Sequence, residues 1–333
     1  MQAEEIELSK AFAKYLMKKV GIPTAPFRVF GRGEFEYEKA LTYVRERGTP
    51  IVVKASGPAQ GKGSYVCENF AKAQLALKKI MIELIHGEAG KEVIVEDCLE
   101  GQEVSFHAIC DGKDFLMLLP SQDHKRIGEG DIGENTGGMG AVAPLPWVTT
   151  EMIEAVAGRI IRPVLEELAR QGRPFRGCLY PGIMWTKEGP MVLEFNARFG
   201  DPEAQVLMRL LKTDLLDILE ACIEGKLKDI AVEWHSGFAA CFVVASGGYP
   251  GRYRSGLPIR GIPAAQALPG VVVFHAGTKI DGHGLYRTSG GRVLGITAVG
   301  STLPETLNRG KEASSWIRFT GAYYRRDIGE KLL

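Results

Sequence analysis

The chain has 333 residues, of which 45% are hydrophobic and 24% are charged. A chain of this length buries about three quarters of its unfolded surface, so disulfides and structural metals are not needed for stability. Its 41 Lys and Arg residues balance 40 Asp and Glu residues, which excludes a global field that attracts nucleic acid or an anionic membrane. No segment resembles a membrane span or a secretion signal. We therefore expect a cytoplasmic protein of two domains, without nucleic-acid or membrane partners.

The first third of the chain has the pattern of a helix followed by a small α/β lobe. Apolar residues at helical spacing predict a helix over residues 5–20, which Gly21-Ile22-Pro23 ends. Residues 26–95 then alternate strand, helix, strand, glycine loop, strand and helix, and strand character resumes over residues 93–110.

The remainder of the chain changes composition near Trp234. A glycine-rich loop at about 121–141 shows no helical or strand period. Further elements are expected as helices at 151–170 and 203–223 and as strands at 177–185 and 191–197. The last hundred residues or so are rich in Gly, Val and short strands. We place a domain boundary near residue 232, which gives an α/β domain of residues 1–231 and a smaller β-rich domain of residues 232–333.

The six cysteines include no C-x-x-C pair and have no neighbouring histidine at the spacing of zinc ligands. This scatter predicts buried free thiols.

A strand that ends in Lys54 is followed by a loop containing Gly57, Gly61, Lys62 and Gly63. Glycines allow a backbone to approach an anion, and consecutive N–H groups beside a lysine form a phosphate cradle. The loop is not a Walker motif, because Gly63 stands where Ser or Thr is required. The alternative is a glycine hairpin with a solvated lysine.

An acidic turn between two apolar strands contains Glu96 and Glu103. A hinge of this kind offers backbone N–H and C=O groups to a purine edge, and Glu103 can accept hydrogen bonds from ribose hydroxyls. An acidic turn that is only solvated is the alternative.

Strand alternation predicts that Glu194, Asn196 and Arg198 share one face while Phe195 faces the other way. A carboxylate and an amide oxygen suit Mg²⁺, and an adjacent arginine suits a carboxylate or phosphate. The alternative is an edge strand with charged residues, but the apolar residues before Glu194 favour a cleft.

The glycine-rich loop combines charged residues with three glycines in four positions, at Gly137, Gly138 and Gly140. Loops this long inside a compact domain are usually functional or disordered. The flanking apolar strands favour a substrate-binding loop.

Together and in order, these segments resemble the phosphoribosylamine–glycine ligase (glycinamide ribonucleotide synthetase) family, which consists of ATP-grasp enzymes of purine biosynthesis. The resemblance covers nearly the whole chain, and its most specific parts are QDHKR, NTGGMG and EFN-x-RFGDPE-x-Q. The other segments that carry it are SKAFAKYLMKKVGIPTA, VVKASGPAQGKG, VEDCLEGQEVS, FHAGTK, GGRVLG and YYRRDIG.

The resemblance implies an ATP-grasp fold with a mobile lid at about 24–93, a smaller β-rich C-terminal domain and ATP as co-substrate. Glu96 and the backbone near Cys98 and Leu99 would meet adenine, and Glu103 would meet ribose. The residues expected to hold the ATP phosphates are Lys10, Lys54, Gly61, Lys62 and Gly63.

The resemblance also implies that Glu194 and Asn196 bind Mg²⁺ or Mn²⁺. Arg198, Lys54, Asp123 and Lys125 would be catalytic. The residues expected to face glycine, its acyl phosphate and phosphoribosylamine are Asp123, Lys125, Asn135, Thr136, Gly137, Gly138, Met139, Arg198 and Asp201.

The implied reaction has two steps. The glycine carboxylate attacks the γ-phosphate of ATP to give glycyl phosphate and ADP, and the amine of phosphoribosylamine then attacks the acyl carbon. Both steps depend mainly on positioning and charge neutralisation, and neither requires a Ser or Cys nucleophile.

The sequence departs from the family pattern in two respects. Family members usually begin with a further Rossmann-like domain, which the sequence does not include, so a separately encoded N-terminal partner is one expectation. A diverged ATP-grasp protein that uses another amine acceptor, or lacks the full reaction, is the alternative function. The local departures are Ser56, Pro58, Gln60 and Pro181.

Overall fold

A computed structural model describes residues 3–59 and 63–333. The chain forms two compact units, each assembled from several segments. Unit 1 comprises Met1–Met117, Thr150–Arg198 and Ala221–Lys228, and unit 2 comprises Leu118–Thr149, Phe199–Glu220 and Asp229–Leu333. Both units mix helices with antiparallel sheets, which confirms the expected α/β (α+β) class. The boundary near residue 232 stays a prediction, because unit 2 takes segments from both sides of it.

Helices cover the sheets of both units. Within the described part of the chain, no helix is long and apolar enough to cross a membrane. The α-helices are α1 (Glu5–Leu8), α2 (Lys10–Val20), α3 (Glu34–Arg47), α4 (Phe70–Met81), α5 (Thr150–Val156), α6 (Arg162–Arg170), α7 (Glu203–Leu210), α8 (Leu215–Glu224), α9 (Ile262–Gln266) and α10 (Leu303–Trp316).

The strands are short, apart from two long hairpin strands in unit 1 and two long strands in unit 2. They are β1 (Phe27–Phe30), β2 (Ile51–Ala55), β3 (Ser64–Cys67), β4 (Val93–Asp97), β5 (Gln102–Ser105), β6 (Ala108–Asp111), β7 (Phe115–Met117), β8 (Gln122–Asp123), β9 (Arg126–Gly128), β10 (Ile132–Asn135), β11 (Gly140–Ala143), β12 (Arg176–Thr186), β13 (Gly189–Asn196), β14 (Phe238–Ala245), β15 (Val271–His275), β16 (Thr278–Ile280), β17 (Tyr286–Thr288) and β18 (Arg292–Gly300).

A four-stranded antiparallel sheet in unit 1 has the order β1-β4-β2-β3. One face packs against α3 and α4 through a buried core that includes Val53, Val95 and Leu77. Alternation along β2 and β4 directs Lys54 and Glu96 to the opposite face. Both side chains are nevertheless buried, so this face lines a covered polar region.

The second sheet of unit 1 pairs β13 with β12, which in turn pairs with β5 and β6. The β12–β13 register shifts after Gly182, so Leu193 forms a β-bulge next to Glu194. A bulge redirects the side chain and backbone groups beside it.

The sheet of unit 2 has the order β15-β18-β14-β11-β8. Its buried core joins Phe242, Ile296 and Leu294 to Leu307 of α10. Strands β8 and β11 bring part of the glycine-rich loop into this sheet, next to strands from the last hundred residues.

Two helix predictions were wrong in detail, and a third was confirmed as a continuous helix with a π-helical stretch. The helix expected at 5–20 divides at Ser9, whose extended backbone forms the N-cap of α2 and whose hydroxyl accepts from the Phe12 N–H. The helix expected at 151–170 contains a π-helical stretch at Ala157–Ile161, and the helix expected at 203–223 is two helices, α7 and α8. Apolar periodicity does not resolve such local breaks.

The prediction that residues 121–141 lack regular structure was also wrong. Strands β8 to β11 occupy much of this segment. Each has only two to four residues and is interrupted by glycine turns, so no period of two can be recognised along the sequence. All six cysteines are free, and five are buried while Cys98 is half-buried, which confirms the thiol prediction for those five.

Candidate functional site

Unit 1 contains a cluster of buried charged side chains around Glu96, in the segments expected to bind ATP. One carboxylate oxygen lies 2.5 Å from the Lys54 ammonium, and the other lies 2.5 Å from the Lys14 ammonium. Lys14 also donates to the Thr24 hydroxyl at 2.5 Å, and Lys54 donates to the carbonyl of Leu193 in the bulge at 3.2 Å. Glu96 therefore joins two lysines from different elements, α2 and β2.

Burial and charge pairing oppose each other in this cluster. Burial alone would raise the pKa of Glu96, but Lys54 and Lys14 hold that pKa below its ordinary value. Burial lowers the pKa of Lys14 to about 8, although the charge of Glu96 opposes the shift. Lys14 was not among the predicted site residues, because a charged residue on a helix is ordinarily expected to face solvent.

The loop that follows β2 packs against the start of α2. The Lys10 amide donates to the Ser56 carbonyl at 2.9 Å, and the Lys10 ammonium lies 3.5 Å from the Gly57 carbonyl. The Ser56 hydroxyl accepts from the Ala11 amide at 3.1 Å, so this departure from the family pattern serves as a helix cap. A side chain at Gly57 would lie 2.6 Å from the Ala89 backbone, and a glycine is therefore required there.

The expected phosphate loop connects the antiparallel strands β2 and β3. The Ala55 amide donates to the Gly63 carbonyl at 2.8 Å, which closes the loop between β2 and β3. Gln60, Gly61 and Lys62, which include two of the expected phosphate-binding residues, lie outside the described residues.

The expected purine hinge connects β4 to β5. Cys98 and Leu99 lie in the connection and are half-buried, and Glu103 lies on β5 opposite Met184 of β12. Burial raises the pKa of the Cys98 thiol, so this half-buried thiol reacts only slowly at neutral pH.

The expected metal strand places Glu194 and Asn196 at the end of β13. The strand ends at Asn196, so the alternation argument does not extend to Arg198. Arg198 nevertheless lies beside Asn196, because its guanidinium donates to the Asn196 side-chain oxygen at 3.3 Å and to Glu7 at 3.0 Å. The other Glu7 oxygen accepts from the Ala197 amide at 2.8 Å, so Glu7, which the sequence analysis missed, orients this turn.

A carboxylate and an amide oxygen, two residues apart at a strand end, are hard oxygen donors and fit Mg²⁺ or Mn²⁺. Within residues 3–59 and 63–333, no group of three or more His, Cys, Asp or Glu side chains could form a metal site. A cation held by Glu194 and Asn196 would therefore complete its coordination with water or phosphate oxygens.

In unit 2, the expected substrate residues form a compact arrangement around a tight turn. The Thr136 hydroxyl donates to the Lys125 carbonyl at 2.8 Å and accepts from the Gly138 amide at 3.0 Å. Gly138 has φ +110°, and a side chain there would lie 2.6 Å from the Asp123 carboxylate. Asn135 ends β10, and the Met139 amide donates to the His124 carbonyl.

Arg292 at the start of β18 connects this turn to Asp201. Its guanidinium donates to the Gly137 carbonyl and the Asp201 carbonyl, each at 2.7 Å, and to the Asp201 carboxylate at 3.0 Å. The Tyr249 hydroxyl accepts from the Gly137 amide at 3.0 Å. Arg292 lies in the GGRVLG segment, but no local sequence pattern identifies Arg292 or Tyr249 as a partner of this turn.

Comparison with solved structures first identifies the fold class. The biotin carboxylase domain of the Hydrogenobacter thermophilus 2-oxoglutarate carboxylase, crystallised with MgADP, ADP and bicarbonate, superimposes with a TM-score of 0.70 at 18% identity. The match covers 96% of this chain and 68% of that chain. At this identity the likeness concerns the fold alone.

More specific similarities identify the family. The phosphoribosylglycinamide synthetase ATP-grasp (A) domain matches residues 8–204, and the C domain of the same synthetase matches residues 239–331. The phosphoribosylamine–glycine ligase of Nostoc sp. is 47% identical over 330 residues, which cover 98% of this chain and 76% of that protein. The crystal structure of phosphoribosylamine–glycine ligase from Thermotoga maritima has a TM-score of 0.87 at 33% identity, and the match covers 98% of this chain and 80% of that chain. The chain belongs to the phosphoribosylglycinamide synthetase family.

Proposed function

We propose that this chain is an ADP-forming carbon–nitrogen ligase that joins glycine to 5-phosphoribosylamine in purine biosynthesis. The products are glycinamide ribonucleotide, ADP and phosphate. The observation that carries the proposal is the 47% identity to a named phosphoribosylamine–glycine ligase over 98% of the chain. The charged cluster of unit 1 and the metal-type donors on β13 support it.

The roles proposed for ATP follow from the geometry of unit 1. Lys54 offers a buried ammonium whose position is held by Glu96 and the bulge carbonyl, so it is preorganised for a phosphate oxygen. Lys10 lies at the phosphate loop and contributes a second positive charge. The half-buried backbone at Cys98 and Leu99 meets the adenine edge, and Glu103 accepts from the ribose hydroxyls.

The proposed metal is Mg²⁺ or Mn²⁺, held by Glu194 and Asn196. When bound, such an ion neutralises charge on phosphate oxygens. Arg198 adds a fixed positive charge next to Asn196, and its contact with Glu7 limits its conformations. This strand end therefore orients and stabilises an anionic transferring group.

The roles proposed for the other substrates belong to unit 2. Asp123, as an acceptor, meets the amino group of a substrate, and Lys125 meets a carboxylate or phosphate. The turn from Asn135 to Met139 and the Asp201 segment shape the pocket for glycine and phosphoribosylamine. Positioning and charge neutralisation are what phosphoryl transfer and acyl transfer require from a protein.

ADP release by the purified chain tests the function. We expect turnover with ATP, Mg²⁺, glycine and freshly generated phosphoribosylamine, and a loss of turnover when either glycine or phosphoribosylamine is omitted. ADP release that depends on glycine but is unaffected by phosphoribosylamine would instead favour a different amine acceptor. No glycine-dependent ADP release at all would refute the ligase assignment.

The metal role has its own test. Glu194→Ala should raise the Mg²⁺ concentration needed for half-maximal turnover by about tenfold or more, because the ion loses its charged ligand. Glu188→Ala is the matched control, since Glu188 lies in the exposed turn before the same strand β13. An unchanged Mg²⁺ requirement in Glu194→Ala would remove Glu194 from the ligand set.

A further inference from the structure

The YYRRDIG segment contributes to none of the roles proposed above, yet it contains the largest fully buried side chain of the described residues, that of Arg325. Burying an arginine without partners is strongly unfavourable, so its contacts show what the buried charge does. Two of its nitrogens donate to the Asp327 carboxylate at 2.8 and 2.7 Å. A third donates to the Asp131 carboxylate at 2.8 Å and to the Arg126 carbonyl at 3.0 Å.

These contacts join residues 323–331, which we call the clasp segment, to the β9–β10 hairpin. Further hydrogen bonds run in parallel with those of Arg325. The Tyr323 hydroxyl donates to the Ile127 carbonyl at 2.9 Å, and the Gly130 amide donates to the Asp327 carboxylate at 2.8 Å. The hairpin contains the chain reversal between β9 and β10 and is thus held along its length by groups almost two hundred residues away.

A second contact reaches His124, which lies between Asp123 at the end of β8 and Lys125. The Gly329 amide donates to His124 Nε2 at 3.1 Å, and the opposite ring nitrogen, Nδ1, lies 3.3 Å from the Gly140 carbonyl. Burial and the nearby Arg325 charge lower the pKa of His124 to about 4. The ring is therefore neutral at physiological pH and can accept at one nitrogen while donating at the other.

The clasp segment thus contacts the hairpin and His124, and these lie on either side of Lys125 in the chain. Lys125 in turn is fixed to Thr136 through its carbonyl. By holding this backbone, Arg325 would fix the positions of the Asp123 and Lys125 side chains and of the turn after Asn135. Small displacements of positioning groups cost about a hundredfold in rate when they move reacting groups by an ångström.

We propose that Arg325 is a positioning residue, which acts through the β9–β10 hairpin to place the substrate-binding residues 123–139. The inference rests on the proposed ligase function and adds to it the contacts that order the substrate-binding residues 123–139. Arg325 itself contacts no substrate in this scheme. Its fork of donors is required because Asp327, Asp131 and a backbone carbonyl are held at the same time, which a lysine cannot do.

The test compares Arg325→Met and Arg325→Lys with Arg326→Met. Arg326 is the adjacent residue, carries the same charge and is exposed, so it controls for charge and for sequence position. We expect the apparent KM for glycine or phosphoribosylamine to rise about tenfold or more in both Arg325 variants. The KM for ATP should stay within about twofold, and Arg326→Met should match the unaltered chain.

Amide hydrogen exchange gives a readout that does not depend on activity. In the Arg325 variants, exchange in residues 126–136 should accelerate at least about tenfold, while β14 and β18 retain their protection. If Arg325→Met does not fold, Asp131→Asn replaces it, because Asn tolerates the positive φ of 56° found at Asp131. That variant removes one charged partner of Arg325 and should show the same pattern.

Two results would overturn the proposal. One is a folded Arg325 variant with unchanged KM values for glycine and phosphoribosylamine. The other is a uniform loss of turnover and stability without faster exchange in the hairpin, which would indicate a general structural role. Failure of the proposed function would be visible separately, as absence of ligase turnover in the unaltered chain before any variant is compared.

Discussion

The charge balance around Glu96 leads to a stability prediction for Glu96→Gln. The substitution keeps the size and polarity of the side chain but removes the charge that both buried lysines contact. Lys14 is 2% exposed and Lys54 is 6% exposed, so water cannot replace the lost carboxylate. Breaking a buried ion pair by removing one partner costs about 3–5 kcal/mol, and we expect the free energy of unfolding at pH 6 to fall by that amount.

The effect should depend on pH in a defined direction. The folded pKa of Lys14, about 8, lies below its ordinary value of 10.5. Between these values the unfolded chain binds more protons than the folded chain, so this group makes the protein more stable as pH rises. Glu96 opposes the lowering of the Lys14 pKa, and without it the lysine loses its proton at a lower pH. The loss caused by Glu96→Gln should therefore be larger at pH 6 than at pH 9.

Urea unfolding followed by far-UV circular dichroism at pH 6 and pH 9 measures both quantities. Asp97→Asn is the matched control on the same strand, because Asp97 pairs with Arg47 at the surface, at 3.0 Å. An exposed pair contributes about 1 kcal/mol or less, so only a small loss is expected from this control. A Glu96→Gln loss no larger than that of Asp97→Asn at pH 6 would refute the reasoning, and equal losses at both pH values would exclude the titration of Lys14 as its cause.

Two further predictions concern the substrate turn and the hinge. Gly138→Ala should lower the free energy of unfolding by about 1–3 kcal/mol and reduce turnover, because a methyl group there would clash with Asp123. Gly256→Ala is the control, since Gly256 has a similar positive φ but open space around it. Equal effects of the two substitutions in urea unfolding and turnover assays would show that the clash is unimportant. Cys98, the half-buried thiol, should react with a disulfide reagent in the native chain and be protected by ATP, whereas Cys241, whose pKa burial raises to about 12, should stay unreactive. Labelling of Cys98 that is insensitive to ATP would contradict its place at the adenine hinge.

Local sequence patterns determined much of the secondary structure. The order of strands and helices predicted over residues 26–95 is the order of β1, α3, β2, β3 and α4, because apolar runs bounded by turn residues describe such elements well. The motif order also determined the family, which the comparisons confirmed. Patterns of this kind depend on residues that are neighbours in the chain or a few positions apart.

The tertiary structure decided which distant residues act together. The contact of Lys14 with Glu96 spans 82 positions, and that of Arg325 with Asp131 spans 194. A charged residue on a helix, or an arginine near the end of the sequence, carries no local signal that it will be buried, since its environment depends on which elements pack over it. The short strands β8 to β11 likewise lack a local signal, because their own sequence has no period of two. Hydrogen-bonded partners in β14 and the clasp segment order them. The amino-acid sequence by itself therefore determined the motifs and most elements, whereas long-range packing determined the charge network around Glu96 and the anchoring of the substrate segment.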